Sequence, residues 1–182
     1  MKNKTTWACI LGLIAIEQSI KIVINQFFFH EYRPILPPYL YFSPLFNRDY
    51  SWFNSMLQLG VGKWAHIITT TIIILFIITA YIFISNTYQK DNLLNSCFAF
   101  LLSGSLCSFI DKVFWNGSLD YIQVTGFFTF DLKDVYLNVA IGLAIILMIV
   151  KRKTINDMDD ALFLKNYWNY TTKWFRKQEN IK

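Results

Sequence analysis

The sequence predicts an all-α integral membrane protein with four transmembrane helices, a small β-rich or irregular extracytoplasmic platform, and a C-terminal amphipathic helix. Three observations lead there. Charged residues make up only 16% of the 182 residues and apolar residues 54%, whereas soluble domains carry about a quarter charged residues. Four apolar runs approach the length needed to cross about 30 Å of hydrocarbon. Between the first two runs, Pro34, Pro37, Pro38 and Pro44 exclude a continuous helix.

The first run, Trp7–Ile24, follows a short basic start with Lys2 and Lys4. No small-x-small cleavage site follows it, so it reads as a retained helix rather than a signal peptide. Glu17, Gln18 and Lys21 interrupt it. Glu17 and Lys21 are four apart and share one helix face, where they can pair. Each charge left unpaired at the bilayer centre would cost roughly 2.5–3.5 kcal/mol. A structural ion pair without a part in chemistry is the alternative reading.

Residues 29–63 form the expected platform, in which Tyr39–Phe42 and Tyr50–Phe53 have strand-like aromatic composition. An ordinary connecting loop is the alternative, but one of this length is uncommon. Trp64–Ser85 is an uncharged span and Asn86–Asn92 a polar turn. Leu93–Ile110 is the third span. Val135–Val150 is the fourth, extended outward by Leu132–Asp134.

Residues 151–182 form a tail that opens on Lys151-Arg152-Lys153. A helix is expected from about Asp157–Asp160, acids that suit a helix N-terminus. Phe163, Leu164, Tyr167, Trp168, Tyr170, Trp174 and Phe175 recur on one face, with Lys173, Arg176 and Lys177 near the end. This is the pattern of a helix lying on a membrane, with a soluble oligomerisation helix as the alternative.

The net charge of +5 does not require a nucleic-acid partner, because its location follows the positive-inside rule. With both termini in the cytoplasm, eleven Lys and Arg fall inside, five fall outside, and Lys21 lies within a span. Platform and acids then share the outer side. Cys9, Cys97 and Cys107 show no paired spacing and read as small apolar residues. His30 and His66 lack metal-ligand partners, so no metal or other cofactor is expected.

Ser103–Asp134, between the third and fourth spans, carries Asp111, Asp120, Asp131 and Asp134. Two carboxylates can run hydrolysis when one is ionised and activates water while the other is protonated and donates. Asp120 is expected in the loop leaving the third span and Asp134 at the start of the fourth. Asp111, followed by Lys112, has the look of an orienting pair.

The order of these residues resembles the lipoprotein signal peptidase (signal peptidase II) family. Its GGxxGNxxDRxxxGxxxD block is matched by Gly104, by Asp111-Lys112 and by Asp120, nine residues after Asp111. F-D-L-K-D (Phe130–Asp134) stands where F-N-x-A-D is expected, and Glu17-Gln18-Ser19-Ile20-Lys21 resembles D-Q-x-x-K. Asn47 stands for the Asn of the platform motif. Departures are Cys107 and Ser108 for Gly-Asn, Asp131 for Asn, Lys133 for Ala, and no Gly-Ala-Ala after Asn47.

The resemblance implies that residues 1–150 are a four-span membrane peptidase domain. It implies an aspartic endopeptidase cutting lipid-modified prolipoproteins before the lipidated cysteine, without a cofactor. Asp120 and Asp134 would be the catalytic pair. Asp111, Lys112, Asn47, Glu17, Gln18, Lys21, Ser108 and Asp131 would support them or bind substrate. The implied setting is a monomer in the bacterial inner (cytoplasmic) membrane, in contact with lipids, with its active site at the outer face. The alternatives are a homologue with altered catalysis acting as an accessory protein, and a small transporter using Glu17, Lys21 and Asp111 as a relay.

Overall fold

The computed structural model describes residues 2–87, 92–115, 117–152 and 165–172. Among these residues, four helical segments are long and apolar enough to cross a membrane: Lys4–Phe28, Lys63–Thr87, Asn92–Trp115 and Leu132–Val150. They are built on α1 (Lys2–Val23), α3 (Lys63–Thr87), α4 (Asn92–Ile110) and α5 (Leu132–Val150), with the short α2 (Trp52–Leu57) in the platform. Leu11, Ile16, Phe76, Ile141 and Ile149 stay exposed on the helices, as expected of surfaces made for lipid rather than water. The chain is a membrane protein.

Inside the bundle, Ile10 of α1, Ile74 and Ile77 of α3, and Phe98, Ala99 and Leu102 of α4 form one apolar core. α4 passes close to α5 at Gly104. A Cβ there would lie 2.7 Å from Leu137 Cγ and 3.1 Å from the Lys133 carbonyl oxygen. Small residues at such crossings let backbones approach. Here that approach brings the start of α5 against the end of α4.

The platform is a four-stranded antiparallel sheet in the order β1-β2-β3-β4. Its strands are β1 (Arg33–Leu36), β2 (Leu40–Asn47), β3 (Ser118–Val124) and β4 (Thr129–Phe130). Two strands come from the Pro-rich segment and two from the stretch between α4 and α5. Phe42 pairs Ile122 and Leu45 pairs Asp120, so the register shifts around Ser43 and Pro44. A bulge there tolerates a proline that has no N–H for the ladder.

Two expectations change at this point. Asp120 lies in β3, not in a loop. Tyr50–Phe53 is not a strand: Ser51 Oγ accepts from the Asn54 N–H and caps α2. The Asn54 side chain then ties Asp49 and Val61 to that helix with bonds of 2.7–3.0 Å. A capping serine and a bridging asparagine override aromatic composition.

Residues 165–172 of the tail are helical, and Tyr167 packs on α3 rather than standing free: its hydroxyl lies 2.8 Å from Thr79 Oγ1. Tyr170 likewise packs near Phe83 and accepts from Asn86. The expected helix start at Asp157–Asp160, and Phe163, Leu164, Lys173, Trp174, Phe175, Arg176 and Lys177, lie outside the described residues, as do residues 88–91 of the expected polar turn.

Candidate active site

β3 alternates as a strand must. Leu119 and Tyr121 face an apolar cluster with Ile24, Phe42, Phe46 and Leu132. Ser118 and Asp120 face the opposite way, toward the acids of the neighbouring helices. Gly117 leads directly into β3. It has φ +150°, and a Cβ there would come 2.8 Å from the Asn47 carbonyl oxygen. Only glycine combines that conformation with so close a backbone approach.

Each bundle element then contributes charge. On α1, Lys21 Nζ lies 2.9 Å from Glu17 Oε1, the expected i,i+4 pair. The same ammonium reaches 2.6 Å to Asp111 Oδ2 and 2.6 Å to Asp131 Oδ2. Glu17, Lys21, Asp111 and Asp131 are all buried. Gln18 turns aside and accepts from Trp115 Nε1 at 2.9 Å.

Asp111 and Lys112 begin a π-helical turn, Asp111–Trp115, at the end of α4. The expected Asp111–Lys112 pair does not form among the described residues. Lys112 Nζ instead donates to Ser108 Oγ at 2.6 Å and to the Ser108 carbonyl at 3.2 Å. Consecutive helical residues do not face one another, so Asp111 and Lys112 reach different neighbours.

Asp131 is the N-cap of α5, and Asp134 stands three residues on. Asp131 Oδ1 accepts from the Asp134 N–H at 3.3 Å, and Asp134 Oδ2 accepts from the Asp131 N–H at 3.2 Å. This reciprocal cap uses an acid at N3. It holds Asp134 beside Asp120: single carboxylate oxygens of Asp120, Asp131 and Asp134 lie within 4.8 Å of one another.

Lys133 and Ser118 were not singled out by sequence as site residues. Lys133 Nζ lies 2.5 Å from Asp131 Oδ2, 2.6 Å from Ser118 Oγ, 3.5 Å from Asp120 Oδ1 and 4.0 Å from Asp134 Oδ2. Ser118 Oγ is 2.7 Å from Asp120 Oδ1, and Asn47 Nδ2 donates to Asp120 Oδ2 at 3.4 Å. The signal for Ser118 was its i,i+2 spacing to Asp120 on a strand. The signal for Lys133 was a cation in the first turn of a helix, where the macrodipole disfavours it.

Among the described residues, two acid triads could hold a cation: Glu17/Asp111/Asp131 and Asp120/Asp131/Asp134. Each already has a lysine ammonium within salt-bridge distance, Lys21 in the first and Lys133 in the second. Burial disfavours the charge of Asp131, but Lys133 and Lys21 outweigh it and hold its pKa well below the usual carboxylate range. Burial pushes Asp120 up, with Lys133 opposing and Asp131 reinforcing the shift.

A cavity of about 500 Å³ opens onto this group. Asp120, Asp134, Lys112, Lys133 and Asn47 line its polar floor, and Trp52, Phe53 and Phe128 line an aromatic side. The arrangement presents two carboxylates from different elements at one cleft with polar and aromatic lining, an arrangement compatible with water-activating hydrolysis.

A family model described as signal peptidase (SPase) II matches residues 9–150. The lipoprotein signal peptidase of Listeria monocytogenes serotype 4a (strain HCC23) is 29% identical over 143 residues, 77% of this chain and 87% of its own length. That of Listeria monocytogenes serovar 1/2a (strain ATCC BAA-679 / EGD-e) is 29% identical over 151 residues, 79% and 93% of the two chains. Two solved bacterial membrane enzymes superpose with a TM-score of 0.63 each. One is 19% identical and covers 86% of this chain and 93% of its own, and the other is 21% identical with 80% and 92% covered. The structural likeness speaks for the fold. The family match runs from the first span to the end of the fourth, and the chain belongs to the signal peptidase II family of membrane proteases.

Proposed function

We infer that this protein is an aspartic endopeptidase that removes the signal peptide from lipid-modified prolipoproteins. One observation carries the catalytic type: Asp120 from β3 and Asp134 from α5 meet at one cavity, with carboxylate oxygens within 4.8 Å. Two acids so close cannot both ionise freely, so one keeps a proton. The ionised carboxylate takes a proton from water as its oxygen attacks the scissile carbonyl carbon. The protonated one donates to the carbonyl oxygen, and a proton passes to the leaving amine as the C–N bond breaks. The products are a carboxylic acid and the free amino group of the lipidated cysteine.

Residues 1–150 form the peptidase domain in this reading, with residues 29–63 in its platform and 151–182 a cytoplasmic tail. The Lys and Arg bias supports both termini in the cytoplasm and the cleft at the outer face of the bacterial inner membrane. Trp52, Phe53 and Phe128 suit the headgroup zone, where aromatic rings settle. Substrate acyl chains stay in lipid while the scissile peptide enters the cleft, and the enzyme works as a monomer. Clustering of the acids at one level favours a hydrolase over an ion relay, which needs charges spread through the membrane depth. Incubating the purified protein with a diacylglyceryl-modified prolipoprotein tests this: a mobility shift from cleavage is expected, and an unchanged substrate counts against it.

A further inference from the structure

Lys133 is a costly residue where it stands. It is buried, it belongs to the first turn of α5, and the helix dipole there disfavours a cation. Its surroundings account for it. Glu17 and Lys21 approach from α1, Asp111 and Lys112 from the end of α4, Asp120 from β3, and Asp131 and Asp134 from α5 itself.

The hydrogen-bond inventory gives direction to this cluster. An ammonium has three N–H donors and no acceptor. The short contacts of Lys133 go to Asp131 Oδ2 and Ser118 Oγ, and the next nearest are Asp111 Oδ2 at 3.4 Å and Asp120 Oδ1 at 3.5 Å. Ser118 has a single hydroxyl proton. Its nearest carboxylate oxygen is Asp120 Oδ1 at 2.7 Å, against 3.1 Å for Asp111 and 3.3 Å for Asp131. Lys133 therefore donates to Ser118, and Ser118 donates to Asp120.

We propose that Lys133 is a positioning residue for hydrolysis: anchored on Asp131, it acts through Ser118 to fix the Oδ1 edge of Asp120, leaving Oδ2 beside Asn47 at the cavity. This rests on the Asp120/Asp134 reading above. Asp131 and Lys133 then act as one unit. Asp131 holds the lysine in place, and the lysine offsets the charge that Asp131 adds beside the dyad. The 2.6 Å Ser118–Lys133 contact is not a nucleophile–base pair, because the ammonium serves there as a donor and the serine proton is turned to Asp120.

The balance of charge makes the unit testable. Five acids (Glu17, Asp111, Asp120, Asp131, Asp134) face three lysines (Lys21, Lys112, Lys133). Lys133→Met leaves five against two, whereas Asp131→Asn with Lys133→Met leaves four against two and restores the original excess.

The experiment is the rate of prolipoprotein cleavage against pH in detergent, for wild type, Lys133→Met, the double variant, Ser118→Ala and Asp120→Asn. Losing the ammonium disfavours the first ionisation of the dyad. Lys133→Met should displace the acid limb upward by about one pH unit or more and lower kcat more than it changes KM. The double variant should return the limb toward wild type. Ser118→Ala should lower kcat about tenfold with an upward limb, and it carries the test if Lys133→Met does not fold. Limbs of Lys133→Met or Ser118→Ala superimposable on wild type, or equal displacement in single and double variants, would overturn the proposal. So would covalent capture of Ser118 by a serine-directed acylating reagent. Asp120→Asn separates the two readings: normal cleavage by it rejects the dyad itself, whereas an inactive Asp120→Asn beside an unshifted Lys133→Met rejects only the lysine.

Discussion

Asp131 and Asp134 cap one another across the first turn of α5, each carboxylate accepting the other's backbone N–H. One of these acids is a candidate catalyst and the other carries two lysines. The helix start and the acid site are therefore one structure. Asn serves as an N-cap as well as Asp does, so the charge of Asp131 can be removed without removing the cap.

Asp131→Asn should keep α5 capped and keep activity, with the acid limb of the cleavage profile displaced downward by about one pH unit. The sign follows from its neighbours. Asp131 is held ionised by Lys133 and Lys21 and pushes Asp120 up. Removing that charge frees Asp120 to ionise at lower pH, with Lys133 already 3.5 Å from its Oδ1. Asp131→Ala should also lose the cap, about 1 kcal/mol of stability. An unmoved limb in Asp131→Asn would separate Asp131 from the dyad.

The same depressed pKa bears on stability. A carboxyl more acidic folded than unfolded stabilises the fold above its ordinary value of 3.8, and that stability is lost as pH falls below it. Thermal unfolding in detergent should therefore show the melting temperature of the wild type falling more steeply than that of Asp131→Asn between about pH 5 and pH 2. Parallel curves would place the ion pairs outside the folding equilibrium.

Lys21 bridges three acids, so Lys21→Met should be the most destabilising single change on α1, by about 3–5 kcal/mol, because Glu17, Asp111 and Asp131 lose a shared cation. Adding Glu17→Gln should recover part of that loss. Strictly additive melting shifts would show that the charges are not coupled.

Gly104→Ala should destabilise by about 1–3 kcal/mol, since its Cβ would meet Leu137 at 2.7 Å. Leu137→Ala in the same chain should relieve the clash and leave the double variant closer to wild type than the two losses combined. A neutral Gly104→Ala would mean that α4 and α5 are free to part.

Much of this was legible in the residues themselves. Hydropathy and length give the four spans because a bilayer demands both, and the i,i+4 spacing of Glu17 and Lys21 gives their pairing. The Asp111–Asp120 spacing pointed to the candidate site only through the resemblance to signal peptidase II. The sheet was only half visible. β3 does not read as a strand because its inward side carries Ser118 and Asp120, polar residues that only a neighbouring cluster of lysines and acids makes tolerable inside. Lys133 shows in the sequence only as a departure from the family motif, because its surroundings depend on Asp120, Asp111 and Ser118, which the chain brings to it from other elements.

The central claim is that Asp120 and Asp134 together perform the hydrolysis. Asn keeps the shape of each side chain and cannot exchange the proton. Cleavage of a diacylglyceryl-modified prolipoprotein by purified wild type, Asp120→Asn and Asp134→Asn measures it directly, with melting curves in the same detergent to establish that both variants are folded. Each substitution is expected to reduce the rate by about 10²–10⁴-fold or more in a protein that still inserts and melts cooperatively. Wild-type turnover by either folded variant would contradict the account.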